Sequence, residues 1–224
     1  MYPSAAPRRL HFPATGLGLL SPAMTMRVAV AVSGRGSNLE ALLRALGVDA
    51  PVQVVLVVSN RADALALDRA REQGIPAEVL SPPGDPAEWL DRLAHHQVDL
   101  LVLAGYLKLV PAAVIARYRD RILNVHPALL PAFGGRGMYG HHVHQAVLAS
   151  GARESGATVH LVDEVYDRGR ILAQARVPVV PGDTPETLAA RVLGVEHRLL
   201  PAVVLAAAAA GHPVPLPETV ESSS

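Results

Sequence analysis

Two side chains in the stretch Arg121-Ile-Leu-Asn-Val-His-Pro-Ala-Leu-Leu-Pro131 have types and spacing that could do chemistry. Asn124 and His126 stand two residues apart at the end of an apolar run. On an extended chain, residues so spaced project to one face. Pro127 and Pro131 then restrict the backbone that follows. An amide beside an imidazole can bind and move protons around a polarised oxygen. A turn that merely satisfies a buried Asn and His would use the same two residues. Which reading holds depends on where the surrounding elements carry the pair.

Those elements read as an α/β alternation. The β-branched run Met26 to Ser33 predicts a buried strand, followed by the loop Gly34-Arg-Gly-Ser-Asn38 and a helical pattern from Leu39 to Leu46. The loop lacks the third glycine of a dinucleotide fingerprint and the lysine of a P-loop. It keeps the physics of a helix N-terminus. Free N–H groups at Gly36, Ser37 and Asn38 can hold a phosphate, or Ser37 or Asn38 can simply cap the helix. Val52–Ser59 predicts a second strand, with Asn60 to Asp63 capping a helix that Gly74 stops. Residues 76–80 predict a short third strand, and Pro86 opens a helix containing Trp89. His95 and His96 are expected at its solvated end. Residues 98–104 predict a fourth strand, followed by the segment Gly105 to Val110 and a helix from Pro111.

Strands alternating with helices imply a mostly parallel, doubly wound, Rossmann-like sheet. Ligands of such sheets sit at the carboxyl ends of strands. The Gly36–Asn38 loop, the Gly105 segment and the Asn124/His126 pair all fall there, which favours a site.

Beyond Pro131 lies a glycine-rich loop, 133–140, with His141, His142 and His144 behind it. It is read as a mobile cover over a substrate. The histidines lack the spacing of a metal motif, and none is expected to hold a metal. Residues 156–162 and 171–180 predict two antiparallel strands joined by an acidic turn, so Asp167 is the candidate partner for His126. A long helix is expected from Pro185 to Ala210, kinked at Pro201.

Composition bounds the function classes. The 224 residues carry 20 Lys+Arg against 20 Asp+Glu, so no overall basic field draws in nucleic acid. There is no Cys, which excludes thiolate catalysis, disulfides and Cys-based zinc sites, and fits a cytoplasmic protein. No uninterrupted apolar run reaches the roughly 18 residues of a membrane span. The expected organisation is a disordered extension over 1–25, one domain over 26–211, and a flexible tail over 212–224.

Asn, His and Asp without a Ser, Thr or Cys nucleophile point away from a covalent intermediate. They suit direct attack by a substrate nucleophile on an acyl carbon, with the oxyanion stabilised by an imidazolium and an amide. A carboxylate near the imidazole is expected to raise its pKa.

Several segments, in order, carry a family resemblance: Ser33-Gly-Arg-Gly-Ser-Asn38, Ser59-Asn-Arg-Ala-Asp63, Leu103-Ala-Gly-Tyr-Leu-Lys108, Asn124-Val-His-Pro-Ala-Leu-Leu-Pro131, Gly156-Ala-Thr-Val-His160, Asp163 through Asp167, and Val195-Glu-His197. From about Met26 to Ala210 the chain resembles the folate-dependent phosphoribosylglycinamide formyltransferases. The resemblance implies a single formyltransferase domain that moves a formyl group from 10-formyltetrahydrofolate, a co-substrate, to the amine of glycinamide ribonucleotide. It assigns Asn124, His126 and Asp167 to catalysis, and Gly36, Ser37, Asn38 and Glu196 to the ribonucleotide. Leu107, Lys108, Leu109, Val110, Val162 and Asp163 fall to the folate, Lys108 meeting its glutamate carboxylate. His142 is the nearest match to a loop histidine of relatives. The implied partners are small molecules, with neither nucleic acid nor membrane, in a monomer or homodimer. The alternatives are a formyltetrahydrofolate hydrolase and a non-catalytic phosphate-binding module. The hydrolase family adds an N-terminal regulatory domain, for which about 25 residues are too few.

Overall fold

The apolar runs read as strands lie side by side in one seven-stranded sheet of order β3-β2-β1-β4-β5-β6-β7. The computed structural model describes residues 25–47 and 49–217. All but Thr25 of the expected N-terminal extension lies outside the described residues. The strands are β1 (Met26–Val32), β2 (Val52–Ser59), β3 (Ala77–Val79), β4 (Leu100–Leu103), β5 (Ile122–His126), β6 (Glu154–Leu161) and β7 (Ile171–Pro178). The helices are α1 (Ser37–Ala45), α2 (Leu65–Glu72), α3 (Pro86–His95), α4 (Ala112–Arg117), α5 (His141–Ala149) and α6 (Pro185–Ala210).

The first five strands are mutually parallel, whereas β6 runs antiparallel to both β5 and β7. The strands read as continuous apolar runs because both faces of the sheet are covered. In β1, Val28, Val30 and Val32 enter a core built with α1, α2 and α6. Ala29 and Ala31 enter the opposite core, with Trp89 and Leu93 of α3 and Val114 and Ile115 of α4. Strand β1 pairs with β2 on one side and β4 on the other, so the strand order reverses there. The carboxyl ends of β1, β4 and β5 therefore open onto the crevice where such sheets bind ligands.

Helix α6 begins with a capping box in which Thr184 accepts from Thr187 N–H, has Pro185 in its first turn, and ends at Gly211 with φ 77°. It continues as one helix through the buried Pro201. Among the described residues it alone is long and apolar enough to cross a membrane, but half of its most apolar stretch is buried within the fold. It packs on β6, β7, α1 and α5, as a core helix does. The expected flexible tail is anchored in its first part: Pro213 is buried and Leu216 N–H donates to Leu172 O at 2.9 Å. Residues 218–224 lie outside the described residues. His96 is not at a solvated end, since its Nε2 lies 3.0 Å from Glu78 Oε1 with 14% of the side chain exposed.

Candidate active site

Strand β5 carries Asn124 and His126 to the carboxyl edge. In the β5–β6 ladder, Asn124 faces His160 and His126 faces Thr158. Thr158 fixes the turn after His126: its hydroxyl donates to Ala128 O at 2.6 Å and accepts from Leu130 N–H at 3.1 Å. Gln174 Nε2 braces the same turn by donating to Leu130 O and to Thr158 Oγ1, both at 2.9 Å.

His126 is almost wholly buried. Its Nε2 lies 2.8 Å from the Phe133 carbonyl, which can only accept, so Nε2 carries a proton. Its Nδ1 faces Asp167 Oδ1 at 3.7 Å, within ion-pair range but too far for a hydrogen bond. The same oxygen lies 3.6 Å from His160 Nε2. Asp167 adopts φ 55° and its Oδ2 accepts from Gly135 N–H at 2.8 Å. The 133–140 loop thus begins clasped to the site, Phe133 to the histidine and Gly135 to the aspartate. A Cβ at 134 would lie 2.5 Å from Leu130 Cδ2 and 3.1 Å from Asp167 Cβ, so a side chain there would press on Leu130 and on the aspartate.

The electrostatics reverse one expectation. Burial is the largest influence on His126 and pushes its pKa below the ordinary value; the Asp167 charge opposes this without overcoming it. At 3.7 Å, without a hydrogen bond, the carboxylate does not hold the imidazole charged. Burial pushes Asp167 up, yet it stays below the usual carboxylate range, with Gly135 N–H donating to its Oδ2.

Sequence reasoning passed over His160 as a site residue, although it lies in a quoted motif. Its Nδ1 donates to Leu161 O at 2.7 Å, so Nε2 is the ring atom left to accept from Asn124 Nδ2, 3.1 Å away. His160 therefore orients the Asn124 amide. The signal was available in the spacing: His160 lies on a strand pairing with β5, with alternation placing Thr158 and His160 on one face.

At the start of α1 the N-cap is Gly36, in the left-handed conformation with φ 77°, and no side chain caps the helix. A Cβ on Gly36 would lie 2.5 Å from Ala66 Cβ, so both backbone and space require glycine. The first N–H groups of α1 lack intrahelical acceptors and point toward the crevice end. Asn38 does not cap; it is buried and its Nδ2 donates to Glu196 Oε2 at 2.6 Å, while its Oδ1 has no partner. Burial pushes the Glu196 carboxyl up to about 7, against the opposing Asn38 bond. Asn60 does not cap α2, whose N-cap is Ala64; its Oδ1 accepts from Ser33 Oγ at 2.5 Å.

The residues expected around a folate separate into two groups. Leu107 and Leu109 are about half exposed and Lys108 is exposed, so all three are open to a ligand. Val110 is buried in the core beneath them, and the half-buried Val162 packs against that same core. Asp163 Oδ1 accepts from Val165 N–H at 2.9 Å. His142 is exposed in the first turn of α5 and packs edge-on against Tyr139, with ring centres 5.5 Å apart. The histidine of that helix turned inward is His144, which is 4% exposed.

This site lies in a recognisable sequence frame. The formyl transferase family matches residues 26–204. The chain belongs to that family. Phosphoribosylglycinamide formyltransferase, chloroplastic, of Arabidopsis thaliana is 50% identical over 187 residues, covering 80% of this chain and 64% of that protein. The phosphoribosylglycinamide formyltransferase of Escherichia coli (strain K12) is 38% identical over 186 residues, covering 80% of this chain and 85% of that one. The crystal structure of phosphoribosylglycinamide formyltransferase from Brucella melitensis is 44% identical with a TM-score of 0.75, covering 82% of this chain and 96% of that one. The chain spans 64% and 59% of the length of the two plant relatives it matches.

Proposed function

We propose that this chain transfers the formyl group of 10-formyltetrahydrofolate to the primary amine of glycinamide ribonucleotide, a step of purine biosynthesis. The observation that carries this reading is the convergence of Asn124, His126 and Asp167 at the carboxyl end of β5, within a formyl transferase family chain. The relatives' names support the choice of amine, and the folate donor rests on the resemblance carried by the sequence motifs.

The substrate amine attacks the formyl carbon, and the carbonyl electron pair moves onto oxygen. The Asn124 amide, oriented by His160, donates one N–H to that oxygen. His126 donates from Nε2, the ring atom that already carries a proton, so a neutral imidazole suffices. The Phe133 carbonyl now occupies that donor, and the start of the 133–140 loop gives way to admit the oxyanion. Asp167, held as a carboxylate, takes the proton released by the amine. Collapse of the intermediate breaks the bond from carbon to N10 of the folate, which recovers the proton. The products are a formamide and tetrahydrofolate.

The α1 N-terminus, through Gly36, Ser37 and Asn38, receives the ribonucleotide phosphate, and Glu196 the ribose hydroxyls. Leu107 and Leu109 offer apolar surface to the folate, the 107–110 backbone and Asp163 serve its pterin, and Val162 backs it. Lys108 meets the glutamate carboxylate and His142 borders the loop. The reading is tested by following 10-formyltetrahydrofolate loss spectroscopically. Loss that depends on glycinamide ribonucleotide supports it; loss at the same rate without the amine identifies a hydrolase.

A further inference from the structure

Ser33 immediately follows β1 and is 5% exposed. Its hydroxyl donates to Asn60 Oδ1 at 2.5 Å, just beyond the end of β2, and accepts from Leu107 N–H at 2.9 Å, just beyond β4. One oxygen thus ties together the carboxyl ends of three adjacent strands. On one side of it runs the loop of Gly36 and Ser37, braced against α2 by Ala66 N–H donating to Gly34 O at 3.1 Å. On the other side runs the 107–109 segment, whose side chains are exposed and so are not anchored by burial. Tyr106 and Val110 are buried at its two ends, and the Leu107 N–H bond to Ser33 pins the stretch between them.

We propose that Ser33 is a positioning residue that sets the distance between the ribonucleotide loop and the folate segment. The inference rests on the function proposed above. Ser33 touches neither reacting group; it acts through Leu107 and through the loop it precedes. Removing its hydroxyl takes away the one partner that the Asn60 carbonyl and the Leu107 N–H share, so nothing then ties the 107–109 segment to the ends of β1 and β2 at this point.

The test compares steady-state kinetics of the full chain with those of Ser33→Ala and Ser33→Thr. The alanine variant is expected to raise the KM for 10-formyltetrahydrofolate and for glycinamide ribonucleotide by about fivefold or more each, with kcat within about threefold. The threonine variant keeps the hydroxyl and is expected to restore both. A purely structural loss would lower the folded fraction, and so the apparent kcat, while leaving both KM values alone. KM values within about twofold of the parent in the alanine variant, or a threonine variant no better than alanine, would overturn the inference. Should the alanine variant not fold, Asn60→Ala carries the test, because it leaves the Leu107–Ser33 bond intact. It is expected to raise the ribonucleotide KM alone, and an equal rise in the folate KM would overturn the inference. Failure of the parent chain to turn over with the amine would strike the proposed function instead.

Discussion

The side-chain amide of Asn38 donates a 2.6 Å hydrogen bond to Glu196 and joins the start of α1 to the middle of α6. Glu196 is 7% exposed, and burial lifts its carboxyl from the ordinary 4.5 to about 7. The folded chain therefore holds a proton there that the unfolded chain releases above 4.5. Stability from this group is full below that pH and is lost as pH rises through 7, by on the order of 3 kcal/mol. Glu196→Gln keeps the shape and removes the titration. Denaturant unfolding at pH 5 and pH 8 should show the variant gaining on the parent only at pH 8. Parallel pH dependences would mean that Glu196 is ionised in the fold.

His126 is expected to titrate below 6.5, because burial outweighs the Asp167 charge. Its neutral form contributes stability above 6.5 that is lost as pH falls through its folded pKa. Asp167→Asn removes the only charge that raises it, so an NMR titration should find the imidazole lower still in that variant. His126→Ala should cut kcat by about 10²- to 10³-fold while leaving ligand binding largely intact. A titration above 6.5 in the parent chain would restore the imidazolium that the bare pairing of His with Asp suggests.

How much of this was legible before the structure follows from the physics of each feature. The mostly parallel sheet and the placing of Asn124 and His126 at its carboxyl edge follow from the alternation of strand and helix patterns, whereas the order of the strands came only with the structure. The charge state of His126 did not follow, because it depends on a distance and on burial, and neither is written in residue types. The expected caps failed for a related reason: Ser37, Asn38 and Asn60 are all good N-cap residues, but tertiary partners claimed Asn38 and Asn60. Glu196 and Asn38 were both assigned to the ribonucleotide, yet nothing local in two residues so far apart in sequence reveals that they bond each other.

The His160–Asn124 bond predicts a non-additive pair. His160→Phe should lower kcat by about tenfold by freeing the Asn124 amide to turn, and Asn124→Ala by about 10²-fold or more. The double variant should fall within about threefold of Asn124→Ala, since His160 has nothing left to orient. Additive losses would show that His160 acts instead through Asp167, whose Oδ1 is 3.6 Å from its ring.

The central claim is that the Asn124, His126 and Asp167 cluster serves attack by an amine rather than by water. The absorbance of 10-formyltetrahydrofolate, followed with purified full-length chain in the presence and absence of glycinamide ribonucleotide, tests it most directly. Rapid loss is expected with the ribonucleotide, and at least about 100-fold slower loss without it. Equal rates in the two cuvettes, or no loss in either, would contradict it.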